Sequence, residues 1–427
     1  MKICVISFHS CPYSQLGGNG SGGMSVYLKE LTSALADISN VRIDIFTRAQ
    51  TPVCVETKYV SPQIRVVQLK GGPEYPVDRQ NLYEFIPGFS ENLEDFILRH
   101  KEDYDVVHSH YWLSGLAGGY IKHNLGFPLV HTYHTLGYMK RRMLGEREHR
   151  CRTRSEQHLA HIADLLISPS KEEKESLIKE YGISPSKVKV VYPGVNRRLF
   201  YPVCHQGLRQ KIKCKKDDFV LLYVGRIEPV KGLAAVISSL GIIREKNPEH
   251  FRKFKLLVIG GGKKEEEFAL NQEAARIINL VSQKGLTDNV TFLGSIDQRQ
   301  LKRYYSAADA VVVPSLYESF GLVTVEALAC GTPVIVSRIG KMRTIVKEGK
   351  NGIFFLPNDP ASLSQSLVHF FLQKKQFWSR ESIREDIVRR FSWEKTAEET
   401  YMIFTRLIER SFLPTTIFQP DGSLQQV

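Results

Sequence analysis

Short apolar runs and helix-spaced apolar residues alternate along most of the chain. Lys2 to Phe8 reads as a strand, and behind the polar stretch Gly17 to Gly23 the spacing of Val26, Tyr27, Leu31 and Leu35 predicts a helix lying on a sheet. Arg42 to Thr47 and Ile64 to Leu69 read as further strands, Asn92 to Arg99 as a helix, and Asp105-Val-Val-His108 and Pro128-Leu-Val-His131 as strands that run into polar, aromatic turns. Ala163 to Ser168 and the run from Val188 continue the series, the latter ending at Pro193-Gly194. Arg197 to Lys216 is polar and basic without a period, as a linker is. Beyond it the pattern restarts. Phe219 to Val224, Leu256 to Ile259, Asn289 to Gly294, Ala310 to Val313 and Pro333 to Val336 read as strands, and Leu301 to Ala307 as a helix. A short helix is bracketed by Gly321 and Gly331, another starts at Asp359, and the last begins at Phe391-Ser-Trp-Glu. From about Pro414 the residues show no apolar period and read as a loose tail. Alternation of this kind predicts an α/β protein in two halves.

A length of 427 residues accommodates two domains with substantial cores, and 42% apolar with 24% charged residues is the balance of a soluble globular protein. The formal charge of +13 favours anionic partners: sugar nucleotides, phosphorylated acceptors, acidic lipid surfaces or nucleic acid. No run is long enough to span a bilayer and the first residues read as a strand, so the cytoplasm is expected, with peripheral membrane contact left open. The seven cysteines lack a Cys-x-x-Cys pair, which argues against a disulfide framework or a zinc site.

Candidate chemistry collects where strands end. Between the strands at Ala310 and Pro333, Glu318 lies in the loop before the short helix and Glu326 inside it. A helix that starts past the carboxyl end of a strand offers unpaired amides to a phosphate, and two carboxylates accept sugar hydroxyls. At the exit of Phe219 to Val224, Arg226 and Lys231 stand five residues apart in Gly225-Arg-Ile-Glu-Pro-Val-Lys-Gly232, a spacing suited to gripping a diphosphate. The Gly-rich loop ending at Gly22-Gly23 offers backbone amides, although a functionless turn reads the same way. His108, His110, His131 and His134 end adjacent strands; polar residues gather there in any parallel sheet, and no accompanying carboxylates favour a metal. Asp103-Tyr-Asp105 precedes a strand and reads as a cap. Lys140 to Arg154 is intensely basic, equally a solvated face or a site for phosphate or membrane.

The ordered set Glu318, Phe320-Gly321, Glu326 and Gly331-Thr-Pro-Val, with Gly225-Arg-x4-Lys-Gly232, resembles the retaining glycosyltransferases of family four. The resemblance covers nearly the whole chain. It implies the GT-B fold: two facing Rossmann-like domains with parallel sheets, an acceptor domain at 1–200, a nucleotide-sugar domain at 201–390, a helix at 391–413 returning to the first domain, and a flexible tail at 414–427. It further implies that Arg226 and Lys231 hold the donor diphosphate and Glu326 the ribose diol. Glu318 and the amides near Gly321 would hold the transferred sugar, with Phe320, Leu322, Val323 and Gly23 around the donor. His134 would meet that sugar from the opposite domain, while Tyr111, Thr135 and Arg154 would face the acceptor and its phosphate. Asn196 occupies a usually acidic position, a mild departure. No protein nucleophile, cofactor or catalytic metal is implied. The histidine turn and the arginine-rich segment most resemble sucrose-phosphate synthases and inositol-phosphate N-acetylglucosaminyltransferases, hence an expected UDP-sugar donor and phosphorylated sugar or cyclitol acceptor; a lipid or cell-surface polysaccharide acceptor is the alternative. A nicotinamide oxidoreductase is disfavoured by the absence of an in-register Gly-x-Gly-x-x-Gly, and a nucleic-acid partner by the absence of basic-aromatic interleaving.

Overall fold

The computed structural model describes residues 1–13, 22–51, 56–145, 151–204, 206–212, 214–262, 272–373, 376–411, 416–418 and 424–426. The Gly17 to Ser21 part of the first glycine loop and Lys263 to Glu267 lie outside the described residues. The first sheet runs β3-β4-β2-β1-β5-β6-β7-β8, comprising β1 (Lys2–Ile6), β2 (Arg42–Arg48), β3 (Glu56–Ser61), β4 (Ile64–Leu69), β5 (Val106–His110), β6 (Leu129–Thr132), β7 (Leu165–Ser168) and β8 (Val188–Val190). The second runs β11-β10-β9-β12-β13-β14, comprising β9 (Phe219–Val224), β10 (Phe254–Ile259), β11 (Val290–Phe292), β12 (Ala310–Val313), β13 (Val334–Ser337) and β14 (Gly352–Phe355). Within these two sheets every pairing is parallel except β3 with β4.

Each sheet is covered on both faces, which is why its strands are continuous apolar runs. In β1, Cys4 and Ile6 pack into one core and Ile3 and Val5 into another; in the second sheet, Val220 and Leu222 oppose Phe219 and Leu221 in the same way. Strand order reverses between β1 and β5 and between β9 and β12. A crevice opens at such a reversal beyond the carboxyl ends of the strands, and it is there that parallel sheets bind ligands.

The chain crosses between the domains twice, and the crossings touch. Val195 N–H donates to Phe391 O at 3.3 Å, and a Cβ on Gly194 would lie 2.2 Å from Trp393 N and 2.3 Å from the Ser392 carbonyl carbon. From there the helix Trp393–Ser411 packs on the first domain: the Trp393 ring lies 5.4 Å from Tyr27 on helix Gly23–Ala36, and the fully buried Phe404 lies 5.3 Å from His108.

Several local readings differ from the observed elements. The antiparallel edge strand β3 carries too little apolar pattern to announce itself. The helix expected from Asn92 begins at Ile86, because Pro87 supplies a first-turn residue that needs no amide partner. The linker contains a short helix, Gln206–Lys211. Where a loose tail was expected, Thr416–Phe418 and Leu424–Gln426 pair antiparallel, consistent with the strand preference of Thr-Ile-Phe.

Replacing Gly194 by alanine forces the two crossings apart. We expect Gly194→Ala to destabilise the protein by about 2–3 kcal/mol, read as a lowered thermal unfolding midpoint, whereas Gly207→Ala, with open space around its Cβ, leaves the midpoint essentially unchanged.

Candidate active site

The second domain presents its half of the crevice on three strand exits. After β9 the chain makes a single 3-10 turn, Pro229–Lys231, and then Gly232 at φ +71°, where a Cβ would lie 2.2 Å from Pro314 O. Only glycine fits both the left-handed backbone and this approach to the exit of β12. The turn delivers Lys231 to Glu318: Nζ is 2.5 Å from Oε1, which also accepts from Ser315 Oγ at 2.7 Å. Burial pushes the Glu318 carboxyl up, but Lys231, Ser315 and the Lys341 ammonium outweigh it and hold it below the usual carboxylate range. Arg226 stands exposed on the same loop, 2.5 Å from Glu228 Oε1.

Past Glu318 the backbone turns at Gly321, φ +98°, into helix Leu322–Ala329, whose N-terminus has no side-chain cap. The Phe320 ring packs 5.6 Å from Phe391, so its side chain belongs to the core and only its backbone faces the crevice turn. Leu322 meets the opposite domain: its Cδ1 lies 3.8 Å from where a Cβ on Gly23 would be, at the start of the uncapped helix Gly23–Ala36. Val323 is partly buried beside it. Glu326 is buried one turn deeper, accepting from Tyr305 Oη at 2.8 Å. Burial pushes its carboxyl up to about 7 against hydrogen bonds from Tyr305 and Gln298, with Glu30 of the first domain adding a like charge. Glu30 and Glu326 line one small cavity between the domains, together with Val26, Asn196, Gln298 and Trp393.

The first domain's half is built on the exits of β5 and β6. Tyr111 (φ +73°) and His134 (φ +62°) both hold left-handed backbone, which costs a non-glycine residue about 1–3 kcal/mol. Such strain persists where the surroundings fix it. His110 Nδ1 lies 3.0 Å from His134 Nε2, and His108 Nε2 lies 3.0 Å from Thr132 Oγ1. Burial holds these imidazoles neutral, with His108 and His134 pushed down to about 3 and His110 well below its ordinary value. One ring of the His110–His134 pair must therefore donate to the other, which fixes tautomer and orientation together. Among the described residues no group of three or more His, Cys, Asp or Glu side chains is placed to hold a metal ion.

The basic segment resolves into different roles. Arg154 is exposed on helix Arg152–Ile162. Arg152, two residues earlier and so about 200° away around the helix, points inward. It is 1% exposed, donates through Nε to Glu156 Oε1 at 2.7 Å and through Nη2 to Thr135 O and Oγ1 at 2.9 and 3.0 Å, and stands 5.1 Å from the Tyr111 ring. Arg152 is thus the arginine in contact with Thr135 and Tyr111, while Arg154, expected at the acceptor phosphate, is exposed elsewhere on the same helix; Arg147, His149 and Arg150 lie outside the described residues. Arg79 stands 5.9 Å from the same Tyr111 ring. His9, at the exit of β1, packs 4.7 Å from Tyr111 and is pushed down to about 3 by burial, then by Arg79, His134 and Arg152. The sequence reading placed Arg152 only within the basic run Lys140 to Arg154 and did not single out His9. The four-residue spacing of Arg152 and Glu156, an ion pair on one helix face, was the available signal for the first.

Comparison with known proteins agrees with this geometry. Residues 21–199 match the model of Glycosyltransferase Family 4 and residues 206–385 that of Glycosyl transferases group 1. The D-inositol 3-phosphate glycosyltransferase 2 of Catenulispora acidiphila is 32% identical over 412 residues, 96% of this chain and 95% of the relative. The sucrose-phosphate synthase structure from Thermosynechococcus elongatus superposes with a TM-score of 0.85 at 31% identity, covering 96% of this chain and 99% of that one. The trehalose-6-phosphate synthase OtsA shares the fold at 12% identity, with a TM-score of 0.73 over 95% of this chain and 99% of that one. With two Rossmann-like domains meeting at their strand exits and relatives matched over almost its full length, the chain belongs to the GT-B glycosyltransferases of family four.

Proposed function

We propose that the chain transfers a hexosyl group, with retention at the anomeric carbon, from a UDP-sugar to a small phosphorylated sugar or cyclitol. The observation that carries the acceptor is Arg152, a buried guanidinium fixed beside Tyr111 and Thr135 on the first-domain wall. Its planar fork suits a phosphate. The names of two relatives above 30% identity, an inositol-phosphate glycosyltransferase and a sucrose-phosphate synthase, support the same acceptor class.

The donor diphosphate would lie between Arg226 and Lys231 and against the amides that open helix Leu322–Ala329. These charges act most strongly as the anomeric C–O bond breaks and its electrons pass to the leaving phosphate. The acceptor, held through its phosphate by Arg152 and Arg79, presents its hydroxyl on the same face as the leaving group. That hydroxyl oxygen bonds the anomeric carbon and gives its proton to the departing phosphate, so no protein nucleophile is consumed. His134 supports the transferred sugar from the first domain, and Glu326 accepts from the ribose diol. Positive side chains supply the charge neutralisation, so transfer proceeds without a metal.

With UDP-glucose, UDP-N-acetylglucosamine and GDP-mannose, each with and without hexose phosphates or inositol phosphate, nucleotide release should depend on a phosphorylated acceptor and persist in a chelator. Donor binding without turnover would move the acceptor to the lipid or polysaccharide class; no donor binding would overturn the reading. Arg226→Ala should lower kcat/KM by about 10²-fold or more. Arg152→Lys should raise the KM for the phosphorylated acceptor by about tenfold while Arg154→Gln leaves it unchanged. Glu326 is mostly protonated below about 7 and ionised above it, and only the ionised carboxylate accepts from both ribose hydroxyls. Donor KM should therefore fall as pH rises through about 7, and Glu326→Gln should flatten that profile.

A further inference from the structure

Lys341, on the loop leaving β13, is an ammonium with 6% exposure at the domain interface. Its Nζ lies 3.7 Å from Oε2 of Glu173, a carboxylate of 1% exposure on helix Lys171–Tyr181 of the first domain. The two elements are closely apposed: a Cβ on Gly340 would lie 2.7 Å from Glu172 Cγ. Both Glu173 oxygens are enclosed, and among the described residues no donor lies within hydrogen-bond distance of either, so the lysine charge is the principal compensation for burying this carboxylate. Glu173 is also not remote from the crevice, since its charge acts on the phenols of Tyr27, Tyr133 and Tyr317.

The other side of Lys341 faces the donor half of the site. Nζ stands 4.9 Å from the ring of Tyr317, next in the chain to Glu318, and its charge is among those that hold the Glu318 carboxyl low. One ammonium is thus shared by carboxylates of both domains. Burial pulls the Lys341 ammonium down, and Glu173, Glu172 and Glu318 oppose that pull. Glu173 and Glu172 belong to the first domain and Glu318 to the second. Separating the domains removes the first two and leaves Glu318 as the remaining carboxylate acting on Lys341, in competition with Lys231.

We infer that Glu173 and Lys341 form a cross-domain positioning pair, in which the first domain anchors Lys341 and thereby frees Glu318, on the Tyr317–Gly321 loop, to meet the transferred sugar. The pair makes donor-site geometry depend on the two domains facing each other. It touches no reacting atom; it acts through Glu318. This rests on the glycosyl-transfer reading for its kinetic consequence but not for the contact itself.

The test uses the full chain and the donor that wild type turns over. Lys341→Met and Glu173→Gln should each lower kcat by about tenfold or more, with donor KM changed less. The double variant should be no slower than the slower single, because the second change removes a contact already lost. Lys341→Arg should recover most of the rate. Singles that multiply in the double, or that leave kcat intact, overturn the pair. Should either single fail to fold, Lys341→Arg and Glu173→Asp are combined in the same cycle. Backbone hydrogen exchange reads the contact without relying on turnover: Glu173→Gln should raise exchange in the Tyr317–Gly321 loop as well as in its own helix, and a rise confined to residues 171–181 overturns the proposal. Wild type without activity on any donor, but with exchange linked across the domains, sinks the functional reading and leaves the pair standing.

Discussion

Everything between the two sheets depends on one close approach, that of Gly194 to the backbone of Ser392 and Trp393. Each domain has its own parallel sheet and its own cores, and nothing in either fixes where its strand exits point. The two crossings, held by backbone packing and by the Val195 to Phe391 hydrogen bond, form a short spine. From that spine Trp393 runs into the first domain against Tyr27, and Phe391 packs against Phe320 in the second. The spine is therefore joined to the start of helix Gly23–Ala36 on one side and to the turn before helix Leu322–Ala329 on the other. Those are the two helix beginnings that Leu322 and Gly23 bring into apposition.

Across the crevice, cations are seated on carboxylates of the chain: Lys231 on Glu318, Arg226 on Glu228, Arg152 on Glu156 and Lys341 on Glu173. These pairs differ in kind. Arg226 with Glu228 is exposed and weak. Arg152 with Glu156 is fully buried, and although Glu156 also accepts from Gly137 N and Tyr181 Oη, burial still holds its carboxyl above the usual carboxylate range. These bonds fix the plane and direction of the Arg152 guanidinium. A ligand that binds it need not order a long side chain, which is where preorganised sites gain over flexible ones.

Much of this was legible in the sequence because the constraints are local. Parallel sheets covered on both faces need apolar runs, and those runs located all the second-domain strands except β14, whose short Gly-Ile-Phe-Phe stretch after Asn351 was not read as one. Gly232 and Gly321 were visible because left-handed turns at strand exits select glycine. Lys231 and Glu318 lie far apart in sequence, and their motifs put them on neighbouring exits where the structure joins them. The illegible part was phase and distance. Nothing in Arg152-Thr-Arg154 says which arginine faces inward until the helix that carries them is set against Thr135. Lys341 stands alone in a short loop, and its partner is on the opposite domain. Phe320 reads as part of a binding motif, yet its ring serves the core.

The imidazoles at the exits of β1, β5 and β6 carry a further consequence. His9, His108 and His134 are held near 3, and His110 and His131 well below their ordinary value, all first by burial. In the unfolded chain the same rings take up protons near the ordinary value of about 6.5. Below that pH the unfolded state binds protons the native state refuses, so each ring removes about 1.4 kcal/mol of stability per pH unit until its own folded value is reached. The architecture that keeps the first-domain wall neutral and ordered thus sets an acid limit on the whole molecule: stability is full above about 6.5 and drains away steeply as the solution is acidified.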